Sequence, residues 1–143
     1  MNTPEHSPLS EHDRNRLRDA AVDARSRAHA PYSGFNVGAA LLTGDGTIVP
    51  GCNVEISSYG LTCCAERVAL FSAVAAGHLH FSAVAVVAGE NHTPPCGACR
   101  QVLADFNPDM IVLLFAPDGT WVQRSLSELL PSPFLPKDLQ PGR

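Results

Sequence analysis

Apolar positions in this chain recur at two spacings, and the alternation between them predicts the order of its elements. Leu17, Ala20, Ala21, Ala24 and Ala28 fall at helical spacing behind a Ser10/Asp13 pair that reads as a capping box, and Pro31 ends the run. This predicts an N-terminal helix over 9–30. From Val37 to Thr43 and from Thr47 to Val54 the pattern is strand-like, with Gly44-Asp45-Gly46 as the hairpin turn between them. Thr62 is then expected to cap a second helix in which Cys64, Val68, Phe71 and Ala75 recur at helical spacing, with Cys64 in its first turn and Gly77 as its stop. Ser82 to Gly89 is short and apolar throughout, as a central strand covered on both faces should be. A third helix from about Gly97 to Phe106, a strand Met110 to Phe115, a turn at Pro117-Asp118-Gly119, a strand Thr120 to Arg124 and a short helix Leu126 to Leu130 complete the pattern.

The order αββαβαββα predicts an α/β fold: a three-layer α/β/α sandwich around a five-stranded mixed sheet, with parallel pairs wherever a helix makes the crossover. There is no internal repeat and no linker, so 1–143 is expected to form a single domain, closed by a proline-rich tail (131–143) that lies extended on a surface. A hydrophobic content of 45% is enough for a core without staples. The longest apolar runs, Phe81 to Gly89 and Met110 to Phe115, fall far short of the roughly 20 residues that span a bilayer. No membrane partner is expected, and the polar stretch Met1 to His12 lacks the apolar core of a targeting signal.

Charge narrows the partners further. With a net charge of −4 and Lys137 as the single lysine, the chain lacks the basic surface that polynucleotide binding requires, and no nucleic-acid partner is expected. Five arginines (Arg14, Arg16, Arg18, Arg25, Arg27) do crowd the first helix, where a solvated face and a contact with a partner are the two readings.

Candidate chemistry lies in the cysteines. Five is an odd number, and four sit in two tight clusters, Cys63/Cys64 and Cys96/Cys99, which suits metal binding in a reduced cytoplasm better than a disulfide framework. Cys96 and Cys99, three apart at a helix start, can share one ion, and Cys64 at the start of another helix supplies a third thiolate. Helix N-termini lower thiolate pKa values. Three thiolates and one zinc ion still sum to −1, which would blunt the metal's effect on water, and Arg67 and Arg100 are placed in sequence to offset it. Surface ion pairing is the alternative for both.

Three ligands leave a fourth position for water, and Glu66, two residues from Cys64, is the candidate base. Other arrangements stay open: a closed structural zinc site with Cys63 or His92 as fourth ligand, or a Cys-x-x-Cys redox pair. Cys52 and Cys63 are otherwise expected to be buried small apolar residues.

These residues closely resemble the small, homotetrameric, zinc-dependent cytidine deaminases. The likeness extends through Tyr32-Ser33-x-Phe35-x-Val37-Gly38-Ala39-Ala40-Leu41, Gly51-Cys52-Asn53-Val54-Glu55, Ser58-Tyr59-Gly60, Cys64-Ala65-Glu66-Arg67, Pro95-Cys96-Gly97-Ala98-Cys99-Arg100-Gln101 and Leu129-Leu130-Pro131-Ser132-x-Phe134. It implies one zinc ion per subunit, held by Cys64, Cys96 and Cys99, with Glu66 shuttling protons while zinc-activated hydroxide attacks carbon 4 of cytidine or 2′-deoxycytidine in pyrimidine salvage. It further implies that Phe35 packs on the pyrimidine, that Asn53 and Glu55 grip the ribose from one face of a strand, that Ala65 touches substrate, that Arg67 stands behind the sulfurs, and that Tyr59 lies at an interface near the pocket. Phe134 would reach a neighbouring subunit's site. Plain packing is the alternative for Phe35 and Phe134, and a solvated strand face for Asn53 and Glu55. The family commonly has an asparagine after the Asn-x-Glu unit, where this chain has Ile56. A deaminase of another aminopyrimidine nucleoside, such as a blasticidin-like antibiotic or a modified cytidine, and a non-catalytic zinc-stabilised module are the competing functions.

Overall fold

The computed structural model describes residues 8–139; the first seven residues and the last four of the expected tail lie outside that range. The elements follow the predicted order: α1 (Glu11–Arg25), β1 (Val37–Thr43), β2 (Ile48–Cys52), α2 (Ala65–Ala75), β3 (Phe81–Ala88), α3 (Gly97–Phe106), β4 (Ile111–Phe115), β5 (Trp121–Ser125) and α4 (Leu126–Leu129). Single 3-10 turns at Tyr59–Leu61 and Pro136–Asp138 interrupt the connections, the second of them within the tail expected to be extended.

Ser10 caps α1 by accepting a hydrogen bond from the Asp13 backbone N–H at 3.1 Å, and Glu11 and Asp13 complement the positive end of the helix dipole. The helix stops five residues before the expected end. Its C-cap Ser26 turns its hydroxyl onto the Asp23 carbonyl, and Ala30, before Pro31, is disfavoured in helical conformation. The chain instead runs beside 53–55, with His29 N donating to Asn53 O at 3.0 Å and Glu55 N donating to His29 O at 2.8 Å.

The five strands form one sheet in the order β2-β1-β3-β4-β5. The β3/β4 pair is parallel and the other three pairs are antiparallel, so the sheet is mixed. Strand alternation divides the core: Ala40, Leu42, Ala85, Val87, Leu113 and Phe115 meet Leu17 and Ala21 of α1, whereas Leu41, Val84, Val86, Val112 and Leu114 meet Leu70, Leu103 and Leu126 of α2, α3 and α4. β3 is central and buried except at Ser82. The result is the expected three-layer sandwich.

In α2 the structure departs from the sequence reading at the cap. The N-cap is Cys64, while the Thr62 hydroxyl accepts from the Ile56 backbone N–H. The buried face is Ala65, Glu66, Ala69, Leu70 and Ala73, whereas in the stripe that recurs at helical spacing Val68 is half-buried and Phe71 and Ala75 are exposed, Phe71 to 52%. Close approach to β2 decides the matter. A Cβ on Gly51 would stand 2.4 Å from Ala69 N and 2.5 Å from Ala65 O, so helix backbone lies directly on strand backbone and only alanine fits beneath. Gly38 does the same for α1, where a Cβ would meet Ala21 O at 1.9 Å.

Gly51→Ala therefore has to displace α2, and the expected loss is at least about 2 kcal/mol of unfolding free energy, as for overpacked cores. Gly60→Ala, where a Cβ meets nothing within 4 Å, should stay within about 0.5 kcal/mol of the parent. Urea unfolding of the two variants distinguishes them, and equal midpoints would contradict the close approach.

Candidate active site

Cys64 and Cys96 are the N-caps of α2 and α3, and Cys99 lies in the first turn of α3. Cys64 thus precedes the first turn in which sequence reading placed it. Neither N-cap sulfur makes a capping hydrogen bond, which leaves both free to face one point. The three Sγ atoms all lie within 4.8 Å of one another, with Cys64 to Cys96 at 3.8 Å and Cys96 to Cys99 at 3.5 Å. Tetrahedral zinc with bonds of about 2.3 Å requires sulfurs about 3.8 Å apart. The donor set and its spacing fit zinc.

Among the described residues only these three form such a cluster. His92 points its Nε2 at the Thr120 hydroxyl, 2.9 Å away, and Cys63 lies outside the group, so neither closes the site as a fourth ligand. A simple dithiol pair does not account for the third sulfur. Cys52 and Cys63 are half-buried and not the fully buried apolar residues expected; the Cys52 thiol donates to Arg27 O at 3.6 Å.

The electrostatics is that of an anion-rich centre held by few cations. The Cys64 thiol is pushed down to about 5, first by the neighbouring Cys99 thiol and then by Arg67, while Cys99, buried beside Cys64, is pushed up. Arg67 Nη2 donates to Cys64 Sγ at 3.5 Å, and its buried Nε has no protein partner. Arg67 thus contacts a sulfur of the cluster. Arg100 does not. It donates from Nε to Pro95 O and from Nη1 to Leu129 O, both at 2.8 Å, and so pins the turn that delivers Cys96 to α4.

Glu66 is 4% exposed, and burial pushes its carboxyl above the usual range. It lines a cavity of about 260 Å³ together with Cys64, Cys96, Phe35, Val37, Asn53, Thr62, Thr93 and Pro94. Thr62 also borders a second cavity of about 340 Å³, formed with Tyr32, Ser33, Glu55 and Tyr59. Two of the three thiols, a buried carboxyl, an aromatic and Asn53 thus line one cavity, and Thr62 is common to it and to the cavity that holds Glu55.

Asn53 and Glu55 lie beyond the end of β2, so a common strand face is not what aligns them. Each is engaged by the segment in front of β1. Asn53, 7% exposed, accepts from Val37 N and donates to Phe35 O, both at 2.8 Å. The Glu55 carboxylate accepts from Tyr32 N at 2.9 Å and from Ser33 N and Ser33 Oγ at 3.1 and 2.5 Å, which holds it below the usual carboxylate range. Ser33 carries no role in the sequence reading, and the signal for it was its place two residues before Phe35. Ala65 is fully buried and does not line the cavity. Phe134, 59% exposed, accepts at its carbonyl from Gln101 Nε2, lines a separate surface cavity and does not line the one that holds Glu66. Tyr59 is 72% exposed, with its ring edge-on to Tyr32 at 5.4 Å.

In α1 Arg16 pairs with Asp13 and Arg18 with Asp19, just beyond its end Arg27 pairs with Asp23, and Arg14 stacks 4.3 Å from the Trp121 ring centre. Such exposed pairs describe a solvated face.

Residues 11–115 match the family model of the cytidine and deoxycytidylate deaminase zinc-binding region. A curated cytidine deaminase of Halalkalibacterium halodurans is 49% identical over 129 residues, covering 89% of this chain and 98% of the relative. The crystal structure of cytidine deaminase from Burkholderia pseudomallei superposes with a TM-score of 0.81 at 48% identity, covering 88% of this chain and 100% of that one. Cytidine deaminase from Mycobacterium tuberculosis superposes with a TM-score of 0.74 at 43% identity over 85% of this chain and 97% of that one. A converging set of three thiols, a buried glutamate in the same cavity and these matches along the chain have one account: the protein belongs to the zinc-dependent cytidine and deoxycytidylate deaminase family.

Proposed function

We propose that this protein hydrolyses cytidine and 2′-deoxycytidine to uridine and 2′-deoxyuridine, releasing ammonia, as a step of pyrimidine salvage in the cytoplasm. The observation that carries the proposal is the open donor set: three sulfurs at zinc spacing, no fourth ligand among the described residues, and buried Glu66 lining the same cavity. Cys64, Cys96 and Cys99 would hold the zinc, which would make water acidic enough to act near neutral pH. Glu66 takes a proton from the attacking water and delivers it to ring nitrogen 3 as the water oxygen adds to carbon 4. It then carries the proton of the new hydroxyl to the amino nitrogen, the bond from carbon 4 to that nitrogen breaks, and ammonia leaves. A carboxyl raised by burial is suited to both halves of this exchange, since proton transfer is fastest between groups of matched affinity.

Phe35 packs on the pyrimidine in the smaller cavity, while Asn53 and Glu55 take the ribose hydroxyls toward the larger one. Each of the two polar residues keeps capacity for this beyond its protein contacts: Asn53 a second amide hydrogen, Glu55 a remaining carboxylate lone pair. Arg67 balances the sulfur charge. Completion of the site by Phe134 of a neighbouring subunit in a homotetramer is supported by its exposure and its absence from the lining of its own chain's cavity, and Tyr59, at the second cavity, and Leu61, 72% and 71% exposed, suit the same interface. Among the described residues no helix is long and apolar enough to cross a membrane.

Zinc-loaded protein should convert cytidine to uridine, seen as loss of the cytosine absorbance, and no turnover at full zinc occupancy would refute the proposal. Glu66→Gln should keep zinc and fold and lose on the order of 10²–10⁴ in kcat, the range for a proton-transfer group; unchanged kcat would remove Glu66 from the chemistry. Native mass spectrometry should find four chains of 15.2 kDa, and Phe134→Ala should raise KM without dissociating them. A monomer with full activity would exclude the shared site.

A further inference from the structure

One hydroxyl lies between the two parts of the site that meet different ends of a nucleoside. Ser33 Oγ donates to Glu55 Oε2 at 2.5 Å and accepts from the Phe35 backbone N–H at 3.0 Å. The same residue's backbone N–H, with that of Tyr32, donates to the other oxygen of Glu55. Residues 32–35 therefore wrap around the Glu55 carboxylate, and Gly34, at φ +69°, makes the turn that brings Phe35 back toward it. On the far side of Phe35 the Asn53 amide holds its carbonyl.

We propose that Ser33 is a positioning residue for the deamination, coupling the carboxylate that faces the sugar to the aromatic that faces the base. The inference rests on the substrate assignment above and extends it. Without the hydroxyl, Glu55 Oε2 loses its side-chain donor and turns toward water, and the Phe35 N–H loses its acceptor, so the ring is no longer tied to the carboxylate. Both losses weaken the grip on ground state and transition state alike. The effect should therefore appear in KM more than in kcat.

The test is steady-state kinetics on cytidine with the zinc-loaded full chain. Ser33→Ala is expected to raise KM about tenfold, the loss typical of a hydrogen bond to a charged group, with kcat within about threefold of the parent. Ser33→Thr, which keeps the hydroxyl, should restore KM to within about threefold. In a Glu55→Gln background, Ser33→Ala should add less than its effect alone, because the two act as a unit. An unchanged KM for Ser33→Ala, or a full tenfold increase on top of Glu55→Gln, overturns the proposal. A carbon-13 titration of the Glu55 carboxyl separates this failure from that of the function itself. Loss of Ser33 Oγ should move the carboxyl up toward the ordinary range whether or not cytidine is turned over. A titration unmoved by Ser33→Ala refutes the coupling, and absence of turnover by the parent refutes only the substrate assignment.

Discussion

The site depends on a topological constraint: two helices must begin at the same edge of one sheet. β2 and β3 are both antiparallel to β1 and hence parallel to each other, so α2 and α3, which follow them, both start beyond the carboxyl ends of parallel strands. Two sets of unpaired backbone N–H groups then face one region. That region tolerates negative charge, and the chain places three sulfurs there, two of them as N-caps. The remaining excess falls to Arg67, whose guanidinium reaches Cys64. Geometry and charge balance are thus set by the strand order before any substrate contact is considered.

Around that centre the work is divided between rigid and adaptable parts. The sulfurs and Glu66 sit on helices whose inner faces lie against the sheet, while Phe35, Glu55, Tyr59 and Thr93 come from connecting segments. The segments are nevertheless held firmly. Asn53 and Glu55 each make two hydrogen bonds to the backbone of 32–37, and Arg100 holds the Pro95 carbonyl just ahead of Cys96. Substrate contacts therefore meet loops that are already ordered, which lowers the entropic cost of binding.

Much of this was legible in the residues. The switch between helical and strand spacing located every helix and strand, because Leu17 and Ala21 on α1 and the unbroken apolar run of β3 are strong local signals. The cysteine spacing with Glu66 likewise disclosed an open metal site. What stayed hidden was decided by contacts across the fold. In an alanine-rich helix several faces look equally apolar, and only the absence of a side chain at Gly51 selects Ala65 and Ala69 over Val68 and Phe71. The C-terminus of α1 depends on the pairing of His29 with 53–55, and the partner of Arg100 is a carbonyl 29 positions away. The roles of Asn53 and Glu55 toward 32–37 were invisible for the same reason: strand alternation describes a neighbour's face, not a loop that folds back over it.

The backbone contact at Gly51 also bears on how such a protein can diversify. Where a strand carbon and two helix backbone atoms leave no room for a methyl group, mutation cannot reshape the wall behind Cys64 and Glu66 without moving the chemistry itself. Gly60, in the connecting segment beside Tyr59, carries no such restriction, since a Cβ there meets nothing within 4 Å. A change of fit is therefore easier to make in the connecting segments than at the back, where steric exclusion holds Cys64 and Glu66 in place.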